Sequence, residues 1–309
     1  MSPAVRRTVP VEAVDGFDLS VLGTWGMILL HASCLLAFAT GVSRAAALAC
    51  GIVYCSRILG ITLGYHRCLA HRTFQTSRPV QFILAWLGTS AMQRGPLWFV
   101  ALHRAHHRHA DTELDVHSPV ARSFWWGHIG WILCRRFDDA DLGLVRDLSA
   151  YPELRWLDRA FLVPPVVTVV VCAVAGYLLP GASVLQMLVW GFAISTVLSY
   201  HATFAVNSLA HRYGSRPFRT KDNSHNNWLV AAIMMGEGFH NNHHRFPASA
   251  RFGLERWQID IGYCVLCLLA KLGLVWDIRI VRPARLPVMS ATTTAVSATA
   301  ATMAAASAE

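Results

Sequence analysis

The chain has 309 residues, 54% of them hydrophobic and only 15% charged, with a mean hydropathy of +0.39. Soluble proteins carry roughly 25% charged residues, so this composition excludes an ordinary soluble enzyme and points to an integral membrane protein. The formal net charge of +9 arises from 27 basic and 18 acidic residues, but the Arg residues are scattered between apolar runs. No basic patch of the kind that binds nucleic acid is present, and no nucleic-acid partner is expected.

Residues 1–18 are polar and lack the apolar core of a cleaved signal peptide. A helix needs about 20 apolar residues to cross a bilayer, and four stretches qualify: about 21–40, 45–64, 161–179 and 184–206. Pro164 and Pro165 fall in the first turns of the third, where proline is tolerated. The hairpin loops 41–44 and 180–183 are short, which puts both termini and the long central loop on one side. Twelve Arg lie between His66 and Arg159, and nine Arg with two Lys follow His211. The positive-inside rule therefore places the central loop and both termini in the cytoplasm.

Residues 80–92 are apolar but too short to span, and predict a buried or interfacial helix. Residues 258–276 mix Asp260 and Lys271 with apolar side chains, as an amphipathic helix on the membrane does. Residues 289–309 are almost all Ala, Thr, Ser and Met and predict disorder. Of the eight Cys, Cys34, Cys50, Cys55 and Cys172 sit in apolar runs and read as small hydrophobes. The pair Cys264 and Cys267 lies in an apolar helical stretch with no second pair, unlike a zinc site.

Nine of the fifteen His are concentrated at four places. They are His66 and His71; His103, His106 and His107; His211; and His240, His243 and His244. Residues at i, i+3 and i+4 share a helix face. His103, His106 and His107 fit that spacing, as do His240, His243 and His244, and Asn207 shares a face with His211. His66 and His71 are five apart, so a regular helix would splay them; they more naturally bracket the end of a span. Imidazole is the commonest metal ligand. Nine exceed what one ion can bind, so two metals with four or five nitrogen ligands each are the simplest fit. His31, His109, His117, His128, His201 and His225 read as structural hydrogen-bonders. No H-E-x-x-H occurs, which disfavours a zinc protease, and Gly236-Glu237-Gly238 lacks the third glycine of a dinucleotide fingerprint.

The order H-x4-H, H-x-x-H-H and H-x-x-H-H, with N-x3-H before the last, resembles the membrane fatty-acyl desaturases, most of all the acyl-CoA delta-9 (stearoyl-CoA-type) branch. The matching stretches are 64–74 (GYHRCLAHRTF), 103–119 (HRAHHRHADTELDVHSP), 124–133 (FWWGHIGWIL) and 236–247 (GEGFHNNHHRFP). The resemblance implies an all-α integral membrane protein: four transmembrane helices with a cytosolic helical cap that holds two iron ions. It implies a membrane desaturase domain over 19–288. The irons would be held by His66, His71, His103, His106, His107, His211, His240, His243 and His244, with Asn207 holding a water. Gln93 and Thr203 match positions at the bend of the family's acyl tunnel, with Phe99 and Phe204 beside them where animal enzymes have Trp.

An unactivated methylene C–H is neither acidic nor electrophilic, so its removal needs a metal, dioxygen and two electrons rather than side-chain acid–base chemistry. The expected substrate is a saturated fatty acyl-CoA, or an acyl-lipid, drawn from the membrane. Arg67, Arg72 and Arg104 are candidates for an anionic head group. Tyr54, twelve residues before His66, would shorten the acyl pocket if it faces it; otherwise it is a packing residue. No haem-binding extension or iron–sulfur cysteine pattern is present, so electrons are expected from a separate ferredoxin- or cytochrome b5-like carrier with its reductase. A hydroxylase, or a desaturase of acyl-lipid or acyl-ACP, is the nearest rival. A non-catalytic metal transporter or haem carrier is the more distant one.

Overall fold

The computed structural model describes residues 18–281. The expected N-terminal segment, apart from Asp18, and the expected tail lie outside the described residues. Three helical stretches are long and apolar enough to cross a membrane: Gly23–Thr40, Arg44–Ala70 and Val184–Ser208. They correspond to the first, second and fourth expected spans. The third is shorter than expected. Its helix, Val163–Leu178, begins with the two prolines in its first turn and follows Pro152–Arg159 across a 70° bend. Sixteen residues rise about 24 Å, so a full crossing would need the bent pair to act together.

The first hairpin is closed by Gly41, at φ +61°, and by Ser43, whose hydroxyl accepts from the Ala46 amide at 3.2 Å. Positive φ is costly for any residue with a Cβ. The second span runs on past its expected end at residue 64. Arg44–Leu59 is α-helical and Gly60–Ala70 continues it in the wider π form, which closes i to i+5. The π segment lies directly against a helix at Arg78–Ser90, the element expected over 80–92. Contact is close enough that a Cβ on Gly60 would stand 2.1 Å from the Gly88 nitrogen, and one on Gly64 2.5 Å from the Leu84 oxygen. Small residues are what allow helix backbones to meet at this range.

Behind this contact, Leu63, Leu69 and Leu84 pack with Leu97, Val100, Leu154, Leu157 and Leu266 in the largest core. Leu266 belongs to Ile261–Lys271, a helix shorter than the expected amphipathic stretch and capped by Asp260, which accepts from Tyr263 N–H at 2.9 Å. The all-α expectation needs one correction. Gln75–Thr76 pairs antiparallel with Val275–Trp276, a two-residue clip that ties the end of the second span to the C-terminal helix.

Three histidines outside the clusters form a hydrogen-bonded file. His31 Nδ1 donates to the Met27 carbonyl (2.7 Å), and His31 Nε2 meets His201 Nε2 at 3.0 Å. His201 Nδ1 meets His128 Nε2 at 3.0 Å, and His128 Nδ1 meets Ser208 Oγ at 2.8 Å. They join the first span, the fourth span and the short helix Phe124–His128, in keeping with a structural reading of each.

Candidate metal centre

Three local structures deliver the ligands. The π segment ends at Ala70, and the His71 amide donates to the His66 carbonyl at 3.0 Å, an i to i+5 bond. The two residues bracket the end of the span, as expected, and this wider register brings together rings that a regular helix would splay: their centroids are 4.8 Å apart. The helix Pro96–His109 carries His103, His106 and His107. Its first turn is anchored by Asp158, which accepts from the amides of Leu97 (2.9 Å) and Trp98 (3.0 Å). The helix His240–Arg245 carries the last three. Between them, Asn241 and Asn242 point away from the histidines into the surrounding loops. Asn242 binds the Asn226 side chain (2.7 Å), the Phe252 carbonyl (2.8 Å) and Gln258 (2.9 Å).

All nine expected histidines come together, in two groups. His66, His71, His103, His107 and His243 each place a ring nitrogen within 4.8 Å of the others, and His106, His211, His240 and His244 do the same. In the first group Nε2 atoms meet at 3.0 Å (His66 and His243), 2.7 Å (His71 and His103) and 3.0 Å (His107 and His243). In the second the Nε2 contacts are 3.1 Å (His211 and His240), 3.0 Å (His240 and His244) and 3.4 Å (His106 and His244). The groups adjoin, the rings of His107 and His244 stacking 4.6 Å apart.

Four carboxylates that the sequence reading did not single out fix the other ring nitrogen. His66 Nδ1 donates to Glu237, His106 Nδ1 to Asp115 (3.0 Å), His211 Nδ1 to Asp111 (2.9 Å) and His244 Nδ1 to Asp222 (2.9 Å). Such partners set the tautomer and orient a metal-binding imidazole. They also favour a metal between the rings. A ring whose Nδ1–H is committed to a carboxylate has a lone pair, not a proton, on Nε2. His106 and His244 thus aim lone pairs at each other across 3.4 Å, an arrangement that repels unless a cation lies between. Nitrogen-only sets of five and four suit iron, with room for further ligands on each ion.

Electrostatics agree. Burial, then the neighbouring imidazoles, push His71, His103, His107, His240 and His243 well below the usual histidine range. Burial brings His244 down to about 4 even though Asp222 opposes it. His106 is raised, because Asp115 outweighs its burial. Burial would raise Asp111, Asp115, Asp222 and Glu237, but their histidine partners hold all four below the ordinary carboxylate range. Neutral imidazoles are the form that binds metal.

A cavity opens beside both groups, walled by Ile61, Phe99, Val206 and Met234 and by His66, His103, His106 and His240. Thr203 and Asn207 also line it, as does His117, for which the sequence predicts only a structural role. Asp115, two residues earlier on the chain, accepts the His117 backbone amide at 3.3 Å. Gln93 stands behind the wall and donates to Thr203 at 2.9 Å. Phe204 is fully buried, stacked on Tyr200 at 5.7 Å, and is not part of the lining. Tyr54 donates its phenol to the Ile233 carbonyl (2.7 Å) and packs among apolar residues deeper in the span.

The head-group candidates fare differently. Arg67 is 0% exposed, held by Asp260 (2.9 Å) and lying over the Phe252 ring (4.2 Å), so it cannot meet a soluble head group. Arg104 is engaged by Asp147 (2.8 Å) and by the carbonyls of Leu69 and Leu144. Arg72 is exposed, and pairs with the same Asp147.

A family model described as fatty acid desaturase matches residues 39–260. Among curated proteins, the chain is 39% identical over 277 residues to an acyl-CoA C20 Delta5-desaturase of Anemone leveillei, covering 87% of this chain and 83% of that one. It is 39% identical over 223 residues to an sn-1 stearoyl-lipid 9-desaturase of Anabaena variabilis, covering 72% and 79%. It is 36% identical over 268 residues to delta-9 acyl-lipid desaturase 1 of Arabidopsis thaliana, covering 85% and 84%. With the histidine geometry and the apolar helices, these matches make the chain an oxidoreductase of lipid metabolism that belongs to the fatty acid desaturase family.

Proposed function

We propose that this protein introduces a cis double bond, at the delta-9 position, into a saturated fatty acyl chain carried as acyl-CoA. The observation that supports it best is the pair of converging imidazole groups beside an apolar cavity. Two irons bound by the nine histidines would supply the oxidising power of dioxygen. The overall change removes two hydrogen atoms from adjacent carbons and turns one O2, with two electrons and two protons, into two waters.

The protein's own part is positioning. Ile61, Phe99, Val206 and Met234 offer an apolar wall that holds the acyl chain and keeps bulk water from the centre. Phe99 lies parallel to the His103 ring at 6.2 Å, so it places the chain next to a ligand. The Gln93–Thr203 hydrogen bond gives that wall a fixed polar point at the expected bend. Asn207 lines the same cavity, and its amide would hold a water there. Electrons come from a separate ferredoxin- or b5-like carrier, and the site faces the cytoplasm.

An acyl-lipid substrate is the second reading. It is favoured by the two acyl-lipid relatives and by the internal engagement of Arg67 and Arg104, which removes two of the three head-group candidates. Expression in a host lacking its own desaturase, with mass-spectrometric location of double bonds, tests the reaction; His107→Ala is the control. A delta-9 monoene absent from the control supports the proposal, and a hydroxylated product overturns it. Purified enzyme supplied with stearoyl-CoA or with stearoyl-lipid vesicles decides the carrier. Iron near two per chain is expected, and none would refute the reading of the centre.

A further inference from the structure

The carboxylates are divided unevenly between the two histidine groups. Building on the di-iron reading above, we propose that the two metal positions are unequal by construction. The four-histidine site binds its iron more tightly and keeps it oxidised, while the five-histidine site is the first to empty and the first to be reduced.

In the four-histidine group, three of the four rings give their Nδ1–H to a carboxylate: His106 to Asp115, His211 to Asp111 and His244 to Asp222. In the five-histidine group His66 has such a partner, Glu237, and no carboxylate bonds the other four rings among the described residues. Glu237 also gives up part of its charge, since the Arg67 guanidinium lies 3.5 Å from it. Among the described residues no Arg or Lys pairs with the side chains of the three aspartates, although the His117 ring lies 3.8 Å from Asp115. Asp111 accepts the Asn223 amide (2.7 Å) and the Ser118 hydroxyl (2.9 Å), Asp115 the Asp111 amide (2.8 Å) and Asp222 the Ser224 amide (2.9 Å).

A carboxylate behind an imidazole raises its basicity as a ligand, and loss of one such partner typically costs 10–100-fold in metal affinity. Three negative charges that no guanidinium among the described residues offsets, against one offset by Arg67 at the other, also favour the more highly charged ferric state at the first. The extra imidazole of the five-histidine group works the other way, as a fifth neutral donor. It adds no negative charge, so the oxidation-state preference stays with the four-histidine site.

The test titrates the purified holoenzyme with EDTA and counts the iron retained per chain. Release in two steps, at least about tenfold apart in chelator, is expected. Asp222→Asn and Asp115→Asn should draw the tighter step toward the weaker by about 10–100-fold, and Glu237→Gln should move only the weaker step. A single step for the wild-type enzyme overturns the proposal, as do aspartate variants that shift only the weaker step. Should the variants fail to fold, Mössbauer spectra of one-electron-reduced wild-type enzyme decide. One localised ferrous and one ferric signal support the inequality, and equal sharing of the electron refutes it. A preparation that binds no iron at all would instead remove the di-iron reading itself.

Discussion

Replacing Gly60 by Ala adds one methyl group and tests whether the backbone contact beneath the ligands is what places His66. The new Cβ would lie 2.1 Å from the Gly88 nitrogen and 2.3 Å from the Leu87 carbonyl carbon, both backbone atoms that cannot rotate away. Ordinary contact begins near 3.4 Å, so the two helices must part by about 1.3 Å or the π segment must deform. Overpacking of this kind costs about 1–3 kcal/mol. A displacement of about 1 Å at a reacting centre costs about 100-fold in rate. Gly51→Ala is the matched control, on the same span but exposed and with nothing within 4 Å of its new methyl. The assay is product yield per milligram of protein, paired with the melting temperature of the purified enzyme. Gly60→Ala should lose most of its product and melt lower, while Gly51→Ala should match the wild type. Wild-type yield and melting in Gly60→Ala would refute the claim that this contact sets the site.

Iron-free protein should lose stability as pH falls below about 6.5. The buried histidines with lowered pKa stay neutral in the fold but take up protons when unfolded, so the stability they contribute is present above that pH and lost below it. Each contributes up to about 1.4 kcal/mol per pH unit, His106 runs the other way, and a denaturation series from pH 7.5 to 5 that stays flat would contradict the assignment. Asn242→Ala should destabilise by about 1–3 kcal/mol, since it strands the buried Asn226 side-chain amide and the Phe252 carbonyl, and urea titration of the purified enzyme reads it directly. Tyr54→Ala opens space in the second span and frees the Ile233 carbonyl. If Tyr54 closes the acyl pocket, the product profile shifts to longer chains, and an unchanged profile leaves it a packing residue.

Run length and helical spacing made much of this molecule readable in advance. Three spans were legible because lipid demands long uninterrupted apolar runs, and the two H-x-x-H-H boxes because i, i+3 and i+4 share a face. The third span was harder. Hydropathy reports apolar length but not direction, and the 70° bend before Val163 leaves no compositional mark. His66 and His71 were legible as a pair at the end of a span, but the π turn that brings their rings together was not, because an α-helical wheel is the wrong wheel for 60–70. Two of the carboxylates were hidden by distance along the chain: Asp111 lies 100 residues from His211, and Glu237 lies 171 from His66. Glu237 was in plain view within a motif stretch, but a lone acid there carries no spacing signal. Arg67 misled for a related reason. A charge beside a ligand looks like a surface residue until the fold supplies Asp260 and Phe252 to bury it.

The π segment has a consequence for how this chain tolerates insertions and deletions. Each i to i+5 turn holds more residues than an α turn, so the second span stores slack between its lipid-facing half and its ligand-bearing half. Deleting one residue from 60–65 would force a choice: the helix tightens to the α form and loses the i to i+5 bond that sets His71 against His66, or it stays wide and turns His66 by about 100° relative to the membrane half. The same deletion in the loop at 41–43 would only reshape a hairpin tip. Genetic drift in length is therefore cheap at one end of this rod and ruinous at the other, although the two places are barely twenty residues apart.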